Sequence, residues 1–195
     1  MGIEQKVEQM YKALEAMEVT EKLASVKPEF RRAGMSFAVK FDFKKGTDTA
    51  TAANRASQLL ANIACLKDHL KVWCDKNGKP FAGDALIDAN RDVAIVHDLW
   101  NFDKHSELKR SRSRLFPRFL DPPHTSMVFK GGVGKQPMLQ IPVFGGPMQV
   151  KDGASLRITA TVIDKDGNAL GDFENICEKA VDSWEAEFNK VGLTF

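Results

Sequence analysis

The sequence has little cysteine, few histidines and almost no net charge. Its three cysteines, Cys65, Cys74 and Cys177, are odd in number and form no Cys-x-x-Cys pair. That argues against a disulfide framework and against a zinc ribbon. Reduced thiols in a cytoplasmic protein are the expected state. The four histidines, His69, His97, His105 and His124, make neither a His-x-x-x-His nor a His-Glu-x-x-His pair, so no metal site and no cofactor are expected. No run approaches the roughly 18 apolar residues of a membrane helix. The N-terminus, Met1-Gly2-Ile3-Glu4-Gln5-Lys6, lacks the layout of a signal peptide. Lys and Arg number 28 and Asp and Glu 26, a net charge of +2. An evenly basic nucleic-acid coat and an acidic tail are both excluded.

What is present is ordinary globular material. The 195 residues are 43% hydrophobic and 28% charged, enough to bury a core without staples. Ile3, Val7, Met10, Leu14 and Met17 recur at helical spacing and predict a helix over 3–25. Met35, Phe37, Val39, Phe41 and Phe43 alternate with polar or small residues and predict a strand closed by Lys44-Lys45-Gly46. Thr47 or Asp48 then caps a long helix to about Lys76, with Leu59, Ile63, Leu66, Leu70 and Trp73 as its stripe and Asn77-Gly78 as its stop. A third helix is predicted from Asp84 through Trp100, with continuation toward Leu108. Pro117, Pro122 and Pro123 argue against regular structure before Ser126. Strands follow over 126–129, 138–144 and 154–164, with a turn at Asp166-Gly167 and a return strand from Ala169. A last helix over 172–191 carries Ile176, Ala180, Trp184 and Phe188 on one face, and Gly192 ends it.

The expected class is therefore α+β: a helical core with two long central helices, a small antiparallel sheet and a C-terminal helix. Residues 1–108 form a helical part with one preceding strand. Residues 109–125 are a basic, proline-rich connector, and 126–195 a β-hairpin with the terminal helix, packed on the first part as one unit.

Two motifs are decoys. Lys130-Gly131-Gly132-Val133-Gly134-Lys135 resembles a phosphate-binding glycine loop, but Gln136 replaces the hydroxyl that ligates magnesium and Pro137 precedes a strand. Asp164-Lys165-Asp166-Gly167 resembles a calcium loop, but Val162 and Phe173 stand where oxygen ligands are required. A hairpin turn is the reading there.

The third helix carries the chemistry. At about 100° per residue, Leu86, Ala89, Val93, Val96 and Trp100 share one arc, and Ile95, Leu99 and Phe102 another. Between them fall Asn90, Arg91, His97, Asp98, Asn101 and His105. A polar stripe between two apolar stripes suggests a crevice or a symmetric interface rather than a solvated face. Arg55, Gln58, Asn62 and His69 form a matching flank on the long helix. Imidazole titrates near neutrality, and guanidinium recognises phosphate in a bidentate way. Such a set suits acid–base work on a phosphate-bearing substrate. Just beyond lie Lys109, Arg110, Arg112, Arg114 and Arg118, interleaved with Ser111, Ser113, Phe116 and Phe119. Such a loop suits a nucleic-acid backbone.

Arg91-Asp92-Val93-Ala94-Ile95-Val96-His97 resembles the Arg-x4–6-His signature of the HEPN superfamily. These are helical domains, many of them metal-independent ribonucleases of toxin or phage-defence systems. The resemblance implies Arg91 and His97 as catalytic residues, meeting across a homodimer interface. Arg91 would stabilise the phosphate and His97 would be the general acid or base while the RNA 2′-hydroxyl attacks. A second stretch, Asp98-Leu99-Trp100-Asn101-Phe102-Asp103-Lys104-His105, resembles the Asp-Leu-x-Asn-x-x-Lys-His motif of uncharacterised bacterial and phage proteins, over roughly residues 50–195. It implies that Asn101, Lys104 and His105 act as a group. Asn62, His69, Asn90 and Asp98 complete the expected supporting cluster. The expected partner is RNA, with no membrane. The alternative is a non-catalytic interaction protein that docks a protein partner through its β-hairpin half.

Overall fold

The computed structural model describes residues 2–19, 29–33, 36–40, 49–129, 138–140, 149–151 and 154–195. Helix α1 spans Ile3–Glu15, followed by strands β1 (Glu18–Val19), β2 (Glu29–Ala33) and β3 (Ser36–Lys40). Four helices come next: α2 (Thr49–Ala64), α3 (Leu66–Asn77), α4 (Gly83–Ala89) and α5 (Arg91–His105). The second half holds β4 (Arg118–Phe119), β5 (His124–Phe129), β6 (Met138–Gln140), β7 (Gln149–Lys151), β8 (Ala154–Thr159), β9 (Thr161–Ile163) and β10 (Ala169–Asp172). Helix α6, Phe173–Val191, closes the chain. The class is α+β, a helical core with small antiparallel sheets and a C-terminal helix.

Helix α1 stops ten residues before the expected end at 25. Its apolar stripe is real, since Val7, Met10 and Met17 are buried. However, the Ile158 amide donates to the Met17 carbonyl at 2.8 Å, and Glu18–Val19 pairs with Arg157–Leu156. A tertiary ladder thus takes over the backbone groups that a longer helix would have used. Residues 20–28 lie outside the described residues, as do Met35, Phe41, Phe43, Lys44–Gly46 and the proposed caps Thr47 and Asp48. The described part of the predicted strand, Ser36–Lys40, pairs with Glu29–Ala33, a partner strand not expected from the pattern.

The long central helix is interrupted at Cys65, which divides it into α2 and α3. Cys65 keeps right-handed dihedrals (φ −73°, ψ −12°), and its amide still bonds to the Ala61 carbonyl. Gly78 ends α3 in the left-handed region (φ 61°), as a C-terminal glycine does. The other long helix is more deeply altered. Asn90 is extended (φ −107°, ψ 117°) and separates α4 from α5. Its side-chain oxygen accepts from the Asp92 and Val93 amides at 3.0 and 3.1 Å. The short amide thereby starts a new helix instead of continuing the old one.

Regular structure also begins earlier than the prolines suggest, with β4 at Arg118 and β5 at His124. Strands β1, β8 and β5 form one antiparallel sheet, and β10, β9 and β4 another. Ala160, 2% exposed, separates β8 from β9, so one ribbon serves both sheets. Strands β2–β3 and β6–β7 are separate pairs. The glycine loop 130–135 and residues 141–144 lie outside the described residues. The β9–β10 turn is the expected hairpin. Asp164 Oδ1 accepts from the Asp166 and Asn168 amides at 2.9 and 2.8 Å, and Gly167 takes φ 90°.

Helix α6 begins at Asp172, whose carboxylate caps the Glu174 and Asn175 amides, and ends at Gly192 (φ 82°). Ile176, Ala180, Trp184 and Phe188 are all buried, in one core with Leu59, Ile63, Leu70, Val93, Val96 and Val162. Tyr11, the single tyrosine, donates to the Glu185 carboxylate and ties α1 to α6. Cys74 and Cys177 are buried free thiols, and burial pushes both above the ordinary thiol value. Among the described residues, no helix is long and apolar enough to cross a membrane.

Candidate functional site

The site starts from one buried acid. Asp98 lies mid-way along α5 with 0% exposure. An ionised carboxylate there is very costly unless donors surround it. Four do, all from the loop that follows the helix. Ser111 Oγ and Ser113 Oγ donate to Oδ2 at 2.7 Å each, and the Ser113 amide donates to it at 2.9 Å. The Arg112 amide donates to Oδ1 at 2.8 Å. The two serines pass the order outward, since Ser111 Oγ accepts from the Phe116 amide and Ser113 Oγ from the Leu115 amide.

This hub shapes the basic run. Ser106 caps α5 in the left-handed region (φ 57°) and turns the chain back along the helix end. Arg114 (φ 63°) and Phe116 (φ 50°) are left-handed too. Arg112 is folded onto α4, with its guanidinium 2.9 Å from Asp88 and 3.0 Å from Asp84. Asp84 also faces Lys67 at 3.5 Å. Burial pushes the Asp84 carboxyl up, but Lys67 and Arg112 outweigh it and hold it below the ordinary value. Arg112 is therefore paired across the surface to the α4 carboxylates. Lys109, Arg110, Arg114 and Arg118 are exposed.

Lys109 and Arg110 line a cleft of about 430 Å³ together with Asn101, His105, Glu107 and Leu108. Asn101 also donates its amide N–H to His97 Nδ1 at 3.0 Å, which leaves the imidazole proton on Nε2. His97 is half-buried. Burial, and then the nearby Arg112 and Lys67 charges, lower its pKa below the ordinary value, against the pull of Asp98 and Asp68. A neutral imidazole at neutral pH is a competent proton acceptor.

The predicted set is thus only partly brought together. His97, Asn101 and His105 do follow one another along α5 toward the cleft. Arg91 does not join them. It sits six residues before His97, about 9 Å along the axis and about 120° around it, and donates to the Leu170 carbonyl on β10 at 3.3 Å. Asn90 is a helix cap whose Nδ2 donates to Ser183 Oγ on α6 at 2.8 Å. The stripe drawn across 84–105 is corrected here, since the α4 residues belong to a different helix from His97 and Asn90 caps α5 rather than lying within it.

The matching flank is corrected as well. Asn62 accepts from Lys6 Nζ at 2.7 Å and donates to the Gln9 carbonyl at 3.4 Å. Arg55 donates to the Ala16 carbonyl. Both face the α1 segment, while Gln58 is exposed and His69 is half-buried on α3. Lys104 is exposed on the last turn of α5. Sequence reasoning missed Glu107 and Leu108 as cleft residues and Ser111 and Ser113 as anchors. A lone aspartate amid the apolar positions of α5, followed by Ser-x-Ser, was the available signal. No group of three or more metal-ligating side chains converges among the described residues.

Comparison with known proteins adds no relative: no family model, no curated protein and no solved structure matches the chain.

Proposed function

We propose that this protein acts on RNA, gripping the phosphate backbone at the end of α5. The observation that supports this reading is the cleft itself, where His105, Lys109 and Arg110 meet Asn101 on a loop anchored by Asp98. Exposed cations on a pre-ordered loop bind phosphate without first losing conformational freedom. The test is fluorescence anisotropy with a labelled RNA between 50 and 200 mM salt. Wild type is expected to bind with a steep salt dependence. A Lys109→Ala/Arg110→Ala double variant is expected to lose about 1.4 from the slope of log K against log salt, about 0.7 per contact. A slope unchanged by the double variant removes the cleft from the reading.

The catalytic form of this reading is a HEPN-like, metal-independent ribonuclease of a toxin or defence system. Its support is the neutral His97 beside Asn101, which itself lines the cleft. Arg91 and His97 point to different neighbours within one chain, so this form requires a homodimer that brings one protomer's arginine to the other's histidine. RNA incubated with the protein in EDTA, with His97→Ala alongside, tests it. Equal cleavage by both proteins, or none by either, removes the support for catalysis at His97. The bond from Arg91 to the Leu170 carbonyl favours that non-catalytic alternative, because it gives Arg91 a structural task.

A further inference from the structure

One hydrogen bond joins the cleft to a titratable group that does not line it. Asn101 lines the cleft with His105, Lys109 and Arg110, and His97 does not. The Asn101 Nδ2 nevertheless donates to His97 Nδ1 at 3.0 Å, four residues away on α5, where side chains at that spacing are neighbours. An asparagine side chain has two unlike ends, an oxygen that accepts and an NH2 that donates. While the imidazole is neutral with its proton on Nε2, Nδ1 accepts and takes the NH2 end. A protonated imidazole carries N–H at both nitrogens, so Nδ1 then requires the oxygen end. A half-turn about χ2, a broad and soft torsion, exchanges the two ends without moving α5. The charged groups that act on the imidazole lie on three segments. Arg112 on the loop and Lys67 on α3 oppose its protonation, as burial does, while Asp98 on α5 and Asp68 on α3 favour it. Lys67 and Arg112 both face Asp84 on α4. In the free protein the balance favours the neutral ring and the present orientation of Asn101.

We infer that His97 is a proton-controlled positioning residue for the cleft: once protonated it turns the Asn101 amide, so that the NH2 end is released toward a phosphate held by Lys109 and Arg110. The inference rests on the RNA-acting reading and adds to it a regulation of the same site. Protonation places a positive charge behind Asn101 and frees N–H donors at the cleft wall. Both effects favour an anion there. Coupling between two binding events is reciprocal. Bound RNA therefore raises the affinity of His97 for its proton by the same factor by which protonation tightens RNA binding.

The experiment follows RNA affinity against pH, by anisotropy of a fluorescein-labelled 12-nucleotide oligo-uridine RNA at constant ionic strength between pH 5.5 and 8. A phosphodiester keeps its charge across this range, so the RNA adds no titration of its own. His105 lines the cleft and its protonation would add charge there. Wild type and His105→Gln are therefore each compared with the same protein carrying His97→Gln, and the wild-type pair decides if His105→Gln binds too weakly. Affinity is expected to rise about threefold or more as pH falls, and His97→Gln is expected to remove that rise. Asn101→Ala is expected to remove most of it while His97 still titrates, as the Cε1–H signal of its imidazole in NMR shows. In wild type the same signal is expected to titrate at higher pH with RNA bound than without. Far-UV circular dichroism at each pH limits the comparison to folded protein. A rise that His97→Gln leaves intact, a rise undiminished in Asn101→Ala, or no rise at all overturns the inference and leaves the RNA-acting reading standing. Failure of wild type to bind the RNA at any pH overturns both.

Discussion

Ser113 hydrogen-bonds to the buried carboxylate of Asp98 twice, through its hydroxyl at 2.7 Å and its amide at 2.9 Å, across fifteen residues of chain. The helix thereby sets the shape of the loop that follows it. A basic run that reads as a solvated connector is instead held in place, with Arg112 paired to Asp84 and Asp88 on α4 and Lys109 and Arg110 lining the cleft.

Asp98→Ala is expected to destabilise the protein by roughly 3 kcal/mol, because it strands four donors that shared one buried acceptor group. Urea denaturation followed by tryptophan fluorescence measures this. Limited trypsin digestion adds a second readout, since Lys109 and Arg110 are expected to be cut faster once the anchor is gone. A variant as stable and as resistant as wild type would show that the hub does not hold the loop.

Asp88→Ala is expected to do far less. It removes one arm of the Arg112 pair, with side-chain exposures of 34% and 63% for the two partners. Pairs this open to solvent contribute about 0–1 kcal/mol. The same urea titration should therefore separate Asp88→Ala clearly from Asp98→Ala.

His97 predicts a pH dependence. Its folded pKa is lowered below the ordinary 6.5, first by burial and then by Arg112 and Lys67. Below 6.5 the unfolded chain takes up a proton that the folded chain resists, so acid favours unfolding. The stability that His97 contributes is complete above about pH 6.5 and is lost as pH falls toward and through the lowered value. Melting curves between pH 5 and 8 should show wild type losing stability on the acid side. His97→Gln should flatten that part of the profile.

Asn90→Ala is expected to cost about 1 kcal/mol, the loss of a helix cap. The Ser183 hydroxyl on α6 loses a donor as well, while it keeps its own bond to the Lys179 carbonyl. Thermal denaturation checks it, and RNA binding should be unaffected because Asn90 lies away from the cleft residues. A fall in RNA affinity without a fall in stability would return Asn90 to the functional set.

The sequence was most legible where period and punctuation agreed. Ile176, Ala180, Trp184 and Phe188, with Asp172 before them and Gly192 after them, define α6 almost to the residue. The stop at Gly78 and the turn at Gly167 were readable for the same reason, since each needs a backbone that glycine adopts without strain. The α1 terminus was not readable, because the bond between Ile158 and Met17 joins residues 141 positions apart. The break at Asn90 left a local signal, but an asparagine in a helical pattern reads equally as one more polar position.

Local patterning by itself determined the class of fold, the apolar faces of the helices and the polar character of α5. Hydrophobic period and capping are properties of neighbouring residues. Tertiary structure alone decided which polar groups meet. It tied Arg91 to the Leu170 carbonyl, gave Asn62 to α1, and drew Ser111 and Ser113 onto Asp98. The physical reason is that a buried carboxylate must find donors wherever the folded chain can bring them, and the sequence does not record that distance.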